Sequence, residues 1–197
     1  MKQILFKHIC RLLSLLILIP LYSSLTLPVL ADTITLYPTD IASGKDNGPK
    51  DGIFDEFYNP GFPSLYDNGF SEGRICVEFD LSAIRAPVLQ ATLKCNAKQS
   101  NDAALITIYG YSGNGQIELS DFANTGNALG TMTGIPELNS LAVTGFISSL
   151  PDNSYAGFNF DEALRTPSPL TNCFGDFKLE VKTGTLTVAP TILLLDQ

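Results

Sequence analysis

The stretch Arg74-Ile75-Cys76-Val77-Glu78-Phe79-Asp80-Leu81 alternates apolar residues with others at a period of two. Ile75, Val77, Phe79 and Leu81 fall on one side of an extended chain, and Cys76, Glu78 and Asp80 on the other. Residues 74–81 therefore read as a strand with one dry face and one face that is wet or covered. Burying each large apolar side chain is worth about 1.5–3 kcal/mol. Asp80 and Ser82 stand where the strand ends and can bond local backbone N–H groups. The same kind of pattern recurs outward from here. Pro87 precedes a strand at 89–96, another covers 104–109, and 33–37 opens the series. Stretches 155–160, 174–182 and 186–195 complete it. Asn47-Gly48, Asn68-Gly69 and Asn114-Gly115 mark turns between them. Residues 38–73 are a long irregular stretch, of a length that in a compact domain is functional or well packed. Residues 143–150 hold the one short helix, with Thr144 as N-cap and Pro151 after it. Short strands separated by turn signals, without a long amphipathic helix, predict an all-β chain folded as an antiparallel β-sandwich.

The chain has 197 residues, 45% of them apolar, and a formal net charge of −8. Lys2, Lys7 and Arg11 precede an apolar run at 12–19, and Val29-Leu30-Ala31 places compact residues ahead of a cleavage point. Residues 1–31 read as a secretory signal peptide cut before Asp32, because the apolar run is short of the ~20 residues a membrane span needs. Residues 32–197 are then a single domain, expected to be secreted, periplasmic or on the cell surface, with no stable membrane span after cleavage. Removing the leader takes three of the 12 basic residues and none of the 20 acidic ones. It also takes His8, the only histidine. A mature chain without histidine excludes Ser-His-Asp and Cys-His catalysis and every His-ligated metal site. Its acidity argues against nucleic acid and anionic membrane as partners.

Two stretches carry a family likeness. Residues 74–84, Arg-Ile-Cys-Val-Glu-Phe-Asp-Leu-Ser-Ala-Ile, resemble the "R-x-x-L-x-F-D-L-S-x-I" strand of DNRLRE-type secreted bacterial modules, and Ala91-Thr92-Leu93-Lys94 is similar to their next strand. Asp32-Thr33-Ile34, Val143-Thr144, Ala156-Gly157-Phe158 and the run from Pro190 to Leu195 extend the likeness over most of 32–197. The segment from Tyr109 to Phe122 looks closer to a cyanobacterial subgroup of such proteins, in place of the Trp-containing segment those modules often carry. The resemblance implies a jelly-roll sandwich of the carbohydrate-binding-module type.

Four sets of residues are candidates for chemistry. Asp46, Asn47, Asp51, Asp55 and Glu56 lie in a Gly-containing acidic loop. Carboxylates, amides and carbonyls of such a loop can supply the six to eight oxygens of a structural calcium ion, although the spacing fits no known loop pattern; a solvated acidic loop is the alternative. The segment from Gly110 to Phe122 lacks two key ligands of a calcium loop and reads better as a turn at Asn114-Gly115 followed by a helical turn capped by Ser120. Phe54, Phe57, Tyr58, Phe62, Tyr66 and Phe70 crowd one loop. Tyr58 and Tyr66 are the candidates for stacking on sugar rings, with Asn59, Asp67 and Asn68 beside them for hydroxyls, and Tyr109 and Tyr111 form a second platform. The alternative is that these rings pin the loop to the sandwich. The adjacent acids Asp55-Glu56 and Asp161-Glu162 point to opposite faces of an extended chain, so neither pair alone makes a glycosidase site. Among Cys76, Cys95 and Cys173, side-chain parity makes Cys95 and Cys173 the better disulfide pair if their faces line one core; buried free thiols are the alternative. The sequence thus predicts an exported non-catalytic module that binds an extracellular or envelope polysaccharide. The alternatives are a structural or adhesive protein with a surface-protein partner, and a glycan-active enzyme working with carboxylates alone.

Overall fold

The computed structural model describes residues 31–58, 63–67, 69–99, 105–133, 138–162 and 168–184. Residues 1–30 of the expected signal peptide and the strand expected at 186–195 lie outside these residues. Eleven antiparallel strands and two short helices are present among the described residues. The strands are β1 (Ala31–Leu36), β2 (Asp40–Asp46), β3 (Glu56–Phe57), β4 (Ser64–Asp67), β5 (Glu72–Asp80), β6 (Val88–Gln99), β7 (Leu105–Gly113), β8 (Asn127–Thr133), β9 (Leu138–Ala142), β10 (Tyr155–Glu162) and β11 (Ser168–Gly184). The helices are α1 (Leu119–Phe122) and α2 (Thr144–Ser149). None of the described helices is long and apolar enough to cross a membrane.

The strand quoted first is the centre of the fold. β5 pairs with β10 on one flank and β2 on the other, so that Val77 stands opposite both Phe158 and Ile41. β10 continues to β7 and β7 to β8. In the other half β11 pairs with β6, β1 and β4, and β6 with β9. β4 also pairs with β5 and joins the two halves. The main core fills the space between them. Ile75, Val77 and Phe79 of β5 meet Ala156, Phe158 and Phe160 of β10, Ile106 and Ile108 of β7, Leu93 and Cys95 of β6, and Leu179 and Val181 of β11. The alternation read from the sequence has put each of these on the inner face.

Both faces of β5 are buried, however. Cys76 joins Phe54, Tyr111, Ile117 and Phe122 in a smaller second cluster on the outer side. Two segments form its cover, the loop between β2 and β3 and the segment from Asn114 to Asn124 that contains α1. The face read as wet or covered is therefore covered, by chain from the turn after β7 and from the stretch 38–73, which the sequence left irregular but which carries β2, β3 and β4.

The helices differ in detail from expectation. α2 starts at Thr144 with Val143 as its cap residue. The Thr144 hydroxyl instead accepts the Ala91 amide at 3.0 Å and so ties α2 to β6. In the second helical turn, α1, the cap residue is Glu118 and not Ser120. The Glu118 amide donates to Asp121 Oδ2 at 2.8 Å, so the acid three residues on closes the turn.

Phe158 is completely buried and flanked edge-on by Phe79 (5.8 Å between centroids, 80°) and Phe146 (5.5 Å, 74°). Phe158→Ala is expected to cost about 3–5 kcal/mol, the range for deleting a core ring, read as a lowered urea midpoint with an unchanged slope.

Candidate functional site

Three regions gather polar or aromatic side chains; the acidic loop and the aromatic set were candidates from the sequence, and the first was not. The first is the outer face of β5, where Glu72, Arg74, Cys76 and Glu78 follow one another at every second residue and all are buried. Arg74 Nη2 lies 3.0 Å from Glu72 Oε1 and 3.2 Å from Asp161 Oδ2, while its Nη1 donates to the Phe122 carbonyl at 2.9 Å. Its guanidinium sits 5.3 Å from the centroid of the Phe54 ring. Asn159 Nδ2 adds bonds to the carbonyls of Asp121, Phe122 and Asn124 at 2.8–3.1 Å. A helix as short as α1 leaves its last carbonyls without helical partners, and Arg74 and Asn159 supply them. Glu78 is fully buried, and its Oε2 accepts the amides of Gly115 at 2.6 Å and Asn114 at 3.2 Å. A side chain at Gly113 would collide with that carboxylate, its Cβ only 2.5 Å away.

Burial sets the acid–base character of this row. It pushes the Glu78 carboxyl above the usual range, against the pull of the Gly115 amide and the Tyr111 hydroxyl, and the Asp121 carboxylate pushes it further. Burial also raises Tyr111 and Cys76, so neither is an ionised nucleophile at neutral pH. Because Glu78 holds its proton more tightly when folded, its stabilising contribution is complete below the unfolded carboxyl value of about 4.3 and is lost as pH rises through the raised folded value. Glu78→Gln keeps the acceptor and removes the charge. The variant is expected to melt higher than the parent at neutral pH and to converge with it in mild acid. Parallel melting curves at both ends of that range check this, and a constant difference across pH would contradict it.

The second region is the acidic loop. Asp46 Oδ2 accepts the Gly52 amide at 3.2 Å, Asp51 Oδ1 the Ile53 amide at 2.9 Å, and Asp55 Oδ2 the Asn47 amide at 2.7 Å. Asn47 Nδ2 donates to Glu56 Oε1 at 2.7 Å. Each of the five residues singled out as calcium ligands is thus engaged within its own loop. Gly48 and Gly52 take the positive φ values, 119° and 80°, that the turns require. Among the described residues no group of three or more His, Cys, Asp or Glu side chains is gathered as a metal site would need. Since carboxylate-to-amide bonds hold the loop, adding a chelator is expected to leave the melting temperature unchanged. A fall of several degrees, reversed by calcium, would show a cation bridging these acids.

The third region is the aromatic set. Tyr58 and Tyr66 are half-buried and meet edge-to-face at 5.7 Å and 66°. Lys45 Nζ lies 5.9 Å from the Tyr58 centroid, and the Tyr66 ring lies on Gly73, 2.4 Å from where a Cβ would be. Burial pushes the Tyr66 hydroxyl up to about 12. These two rings spend their faces on each other and on the protein. Tyr109 is half-buried, and Tyr111, expected in a second platform, is 5% exposed inside the outer cluster with its ring on Gly157. Asp67 is also buried, paired with Lys50 and accepting the Gly69 amide, so it does not face a ligand. Asn59 and Asn68 lie outside the described residues. The exposed rings are others: Phe57 at 53%, Phe70 at 66% and Tyr37 at 70%, with Ile53 at 65%. From the sequence, the tyrosines of this loop and not its phenylalanines were the candidates for binding. The signal it lacked was register: Phe57 pairs with Gly44 at the edge strand β3, where only one side of the chain is covered.

The disulfide expectation needs correction. Cys95 is a free thiol in the main core, 3.6 Å from Met132 Sδ and pushed up to about 12 by burial. Cys173 pairs in register with Gln99, four residues further along β6. That offset is about 13 Å along a strand, beyond the ~7 Å Cα separation a disulfide tolerates. Parity placed Cys95 correctly on the core face, but parity carries no information about position along the strand.

No family model matches the chain, and no curated protein matches it either.

Proposed function

We propose that the chain is a non-catalytic binding module acting outside the cytoplasm, with a polysaccharide as its ligand class. One observation carries the binding part of this reading. The loop between β2 and β3 is stiffened by its own carboxylates, and the chain from there to β5 keeps Ile53, Phe57 and Phe70 more than half exposed. A preorganised loop loses little conformational entropy on contact, and apolar area left in water is regained at about 25 cal/mol per Å² when a partner covers it. The basic, Leu-rich start supports export. The likeness to secreted jelly-roll modules supports the ligand class. The non-catalytic part draws support from Arg74, which occupies the space between the neighbouring carboxylates of Glu72 and Asp161.

A second reading, a protein partner, is favoured by the chemistry of the same surface, since two phenylalanines and an isoleucine offer no hydroxyl to a glycan. The two readings separate in one experiment. Affinity electrophoresis of the purified chain through gels containing individual polysaccharides is expected to show retardation by at least one of them. Phe57→Ala with Phe70→Ala should weaken that binding about tenfold, equivalent to about 1.4 kcal/mol. Migration unaffected by every polysaccharide would remove the glycan reading and leave the protein partner.

A further inference from the structure

A concave feature lies at the other end of β5 from the acidic loop. The loop at 81–88 and the segment at 147–153 face each other across a cleft of about 540 Å³. That volume is within the ~300–1,000 Å³ of small-molecule sites. The acidic loop meets β5 at Gly73 and Arg74 through β2, and the cleft begins at Leu81, about 26 Å further at ~3.3 Å per residue. The floor is aliphatic: Leu81 and Ile147 are buried, and Ile84, Val88 and Leu150 half-buried. The polar rim consists of Arg85, Ser148, Asp152 and Asn153, all exposed. Arg85 Nη1 donates to Asn153 Oδ1 at 3.2 Å and so links the two walls. Asn153 reaches that position at φ 57°, one of two non-glycine residues with positive φ among those described.

We propose that this cleft is a saccharide subsite. A sugar hydroxyl both donates and accepts, so the wall that holds several of them must do both. Asp152 only accepts, Arg85 only donates, and Asn153 and Ser148 do each. The bond to Asn153 orients the guanidinium while using one of its five N–H donors. A purely apolar ligand would strip water from these four groups without replacing its hydrogen bonds. A simple anion would meet the Asp152 charge on the same rim as Arg85. The aliphatic floor matches the C–H face of a pyranose ring. This inference rests on the polysaccharide reading above and adds to it a second contact point, far from the exposed phenylalanines.

The chain contains no tryptophan, which makes a direct test possible. Ser148→Trp puts a lone indole at the cleft rim, and Ile53→Trp puts one on the acidic loop. Each full-length variant is titrated with xylan-, mannan- and glucan-derived oligosaccharides while its emission is followed. Calorimetry on the unaltered chain gives the reference affinity. The expected result is an emission shift in the Ser148→Trp chain, and an affinity about tenfold weaker in the Arg85→Ala, Asn153→Gly double variant. Glycine at 153 keeps the positive φ, and unchanged melting of the double variant shows that the fold is intact. A folded Ser148→Trp chain that no longer binds has its cleft plugged and supports the proposal equally. A response confined to Ile53→Trp, with the double variant binding as the parent does, overturns the subsite and leaves the polysaccharide reading standing. An unaltered chain that binds none of the oligosaccharides or their parent polysaccharides overturns both.

Discussion

The Arg74 guanidinium, held between Glu72, Asp161 and the Phe122 carbonyl, is the contact on which the outer half of this molecule depends. A central strand with apolar residues on one face could have left its other face in water. β5 instead carries a charged row there, and desolvating such charges costs several kcal/mol per ion unless they are matched by partners. The partners come from three separate elements. Asp161 arrives on β10, the Phe122 carbonyl on α1, and the Phe54 ring on the loop after β2. Glu78 plays the same part further along, drawing in the amides of Asn114 and Gly115. The cover over β5 is thus placed by polar satisfaction first and by the contacts of Phe54, Tyr111, Ile117 and Phe122 second. The stretch 38–73 takes part in this cover as a loop set between paired strands, β2, β3 and β4.

That division of labour leaves the sandwich with two unlike ends. At one, the acidic loop is closed by bonds from its own carboxylates and turns apolar side chains outward. At the other, the connection from β5 to β6 and the segment after α2 leave a polar-rimmed hollow. The main core between them is occupied by interlocking rings, Phe79, Phe158, Phe160, Phe174 and Phe177 among them. The exposed groups at these two ends stand on connections, on the short edge strand β3 and at the end of α2, the parts of a rigid β scaffold that are free to vary.

Six strands, β1, β5, β6, β7, β10 and β11, were legible because period-two alternation is a local signal, whereas β2, β3, β4, β8 and β9 were not read from the sequence. It identified the β5 core face of Ile75, Val77 and Phe79 and correctly set Cys76 on the opposite side. It also located Asp80, which accepts the Ser82 amide at 2.7 Å where the strand ends. What was not legible was everything fixed by register between distant strands. The separation of Cys95 from Cys173 and the burial of Tyr111 against Gly157 depend on which residues stand opposite which, and the capture of Asp67 by Lys50 depends on how the acidic loop reaches β4. The acidic loop shows a different limit. A run of Asp, Asn and Gly is compatible with holding a cation and with bonding its own amides, because both need the same oxygens in a tight turn. The resemblance to secreted modules added an expectation of jelly-roll type and ligand class, but no position for a site.

Among the described residues, three rings press most closely on glycine: Phe122 on Gly44, Tyr111 on Gly157 and Tyr66 on Gly73, each 2.3–2.4 Å from where a Cβ would stand. In every case the two positions belong to different elements, and neither can change alone. A methyl group at the glycine displaces the ring, and a smaller residue at the ring opens a hole over the strand. These pairs should therefore behave as single heritable units. Homologues too diverged to share overall identity would still swap glycine and ring together, leaving a covariation signature of the fold.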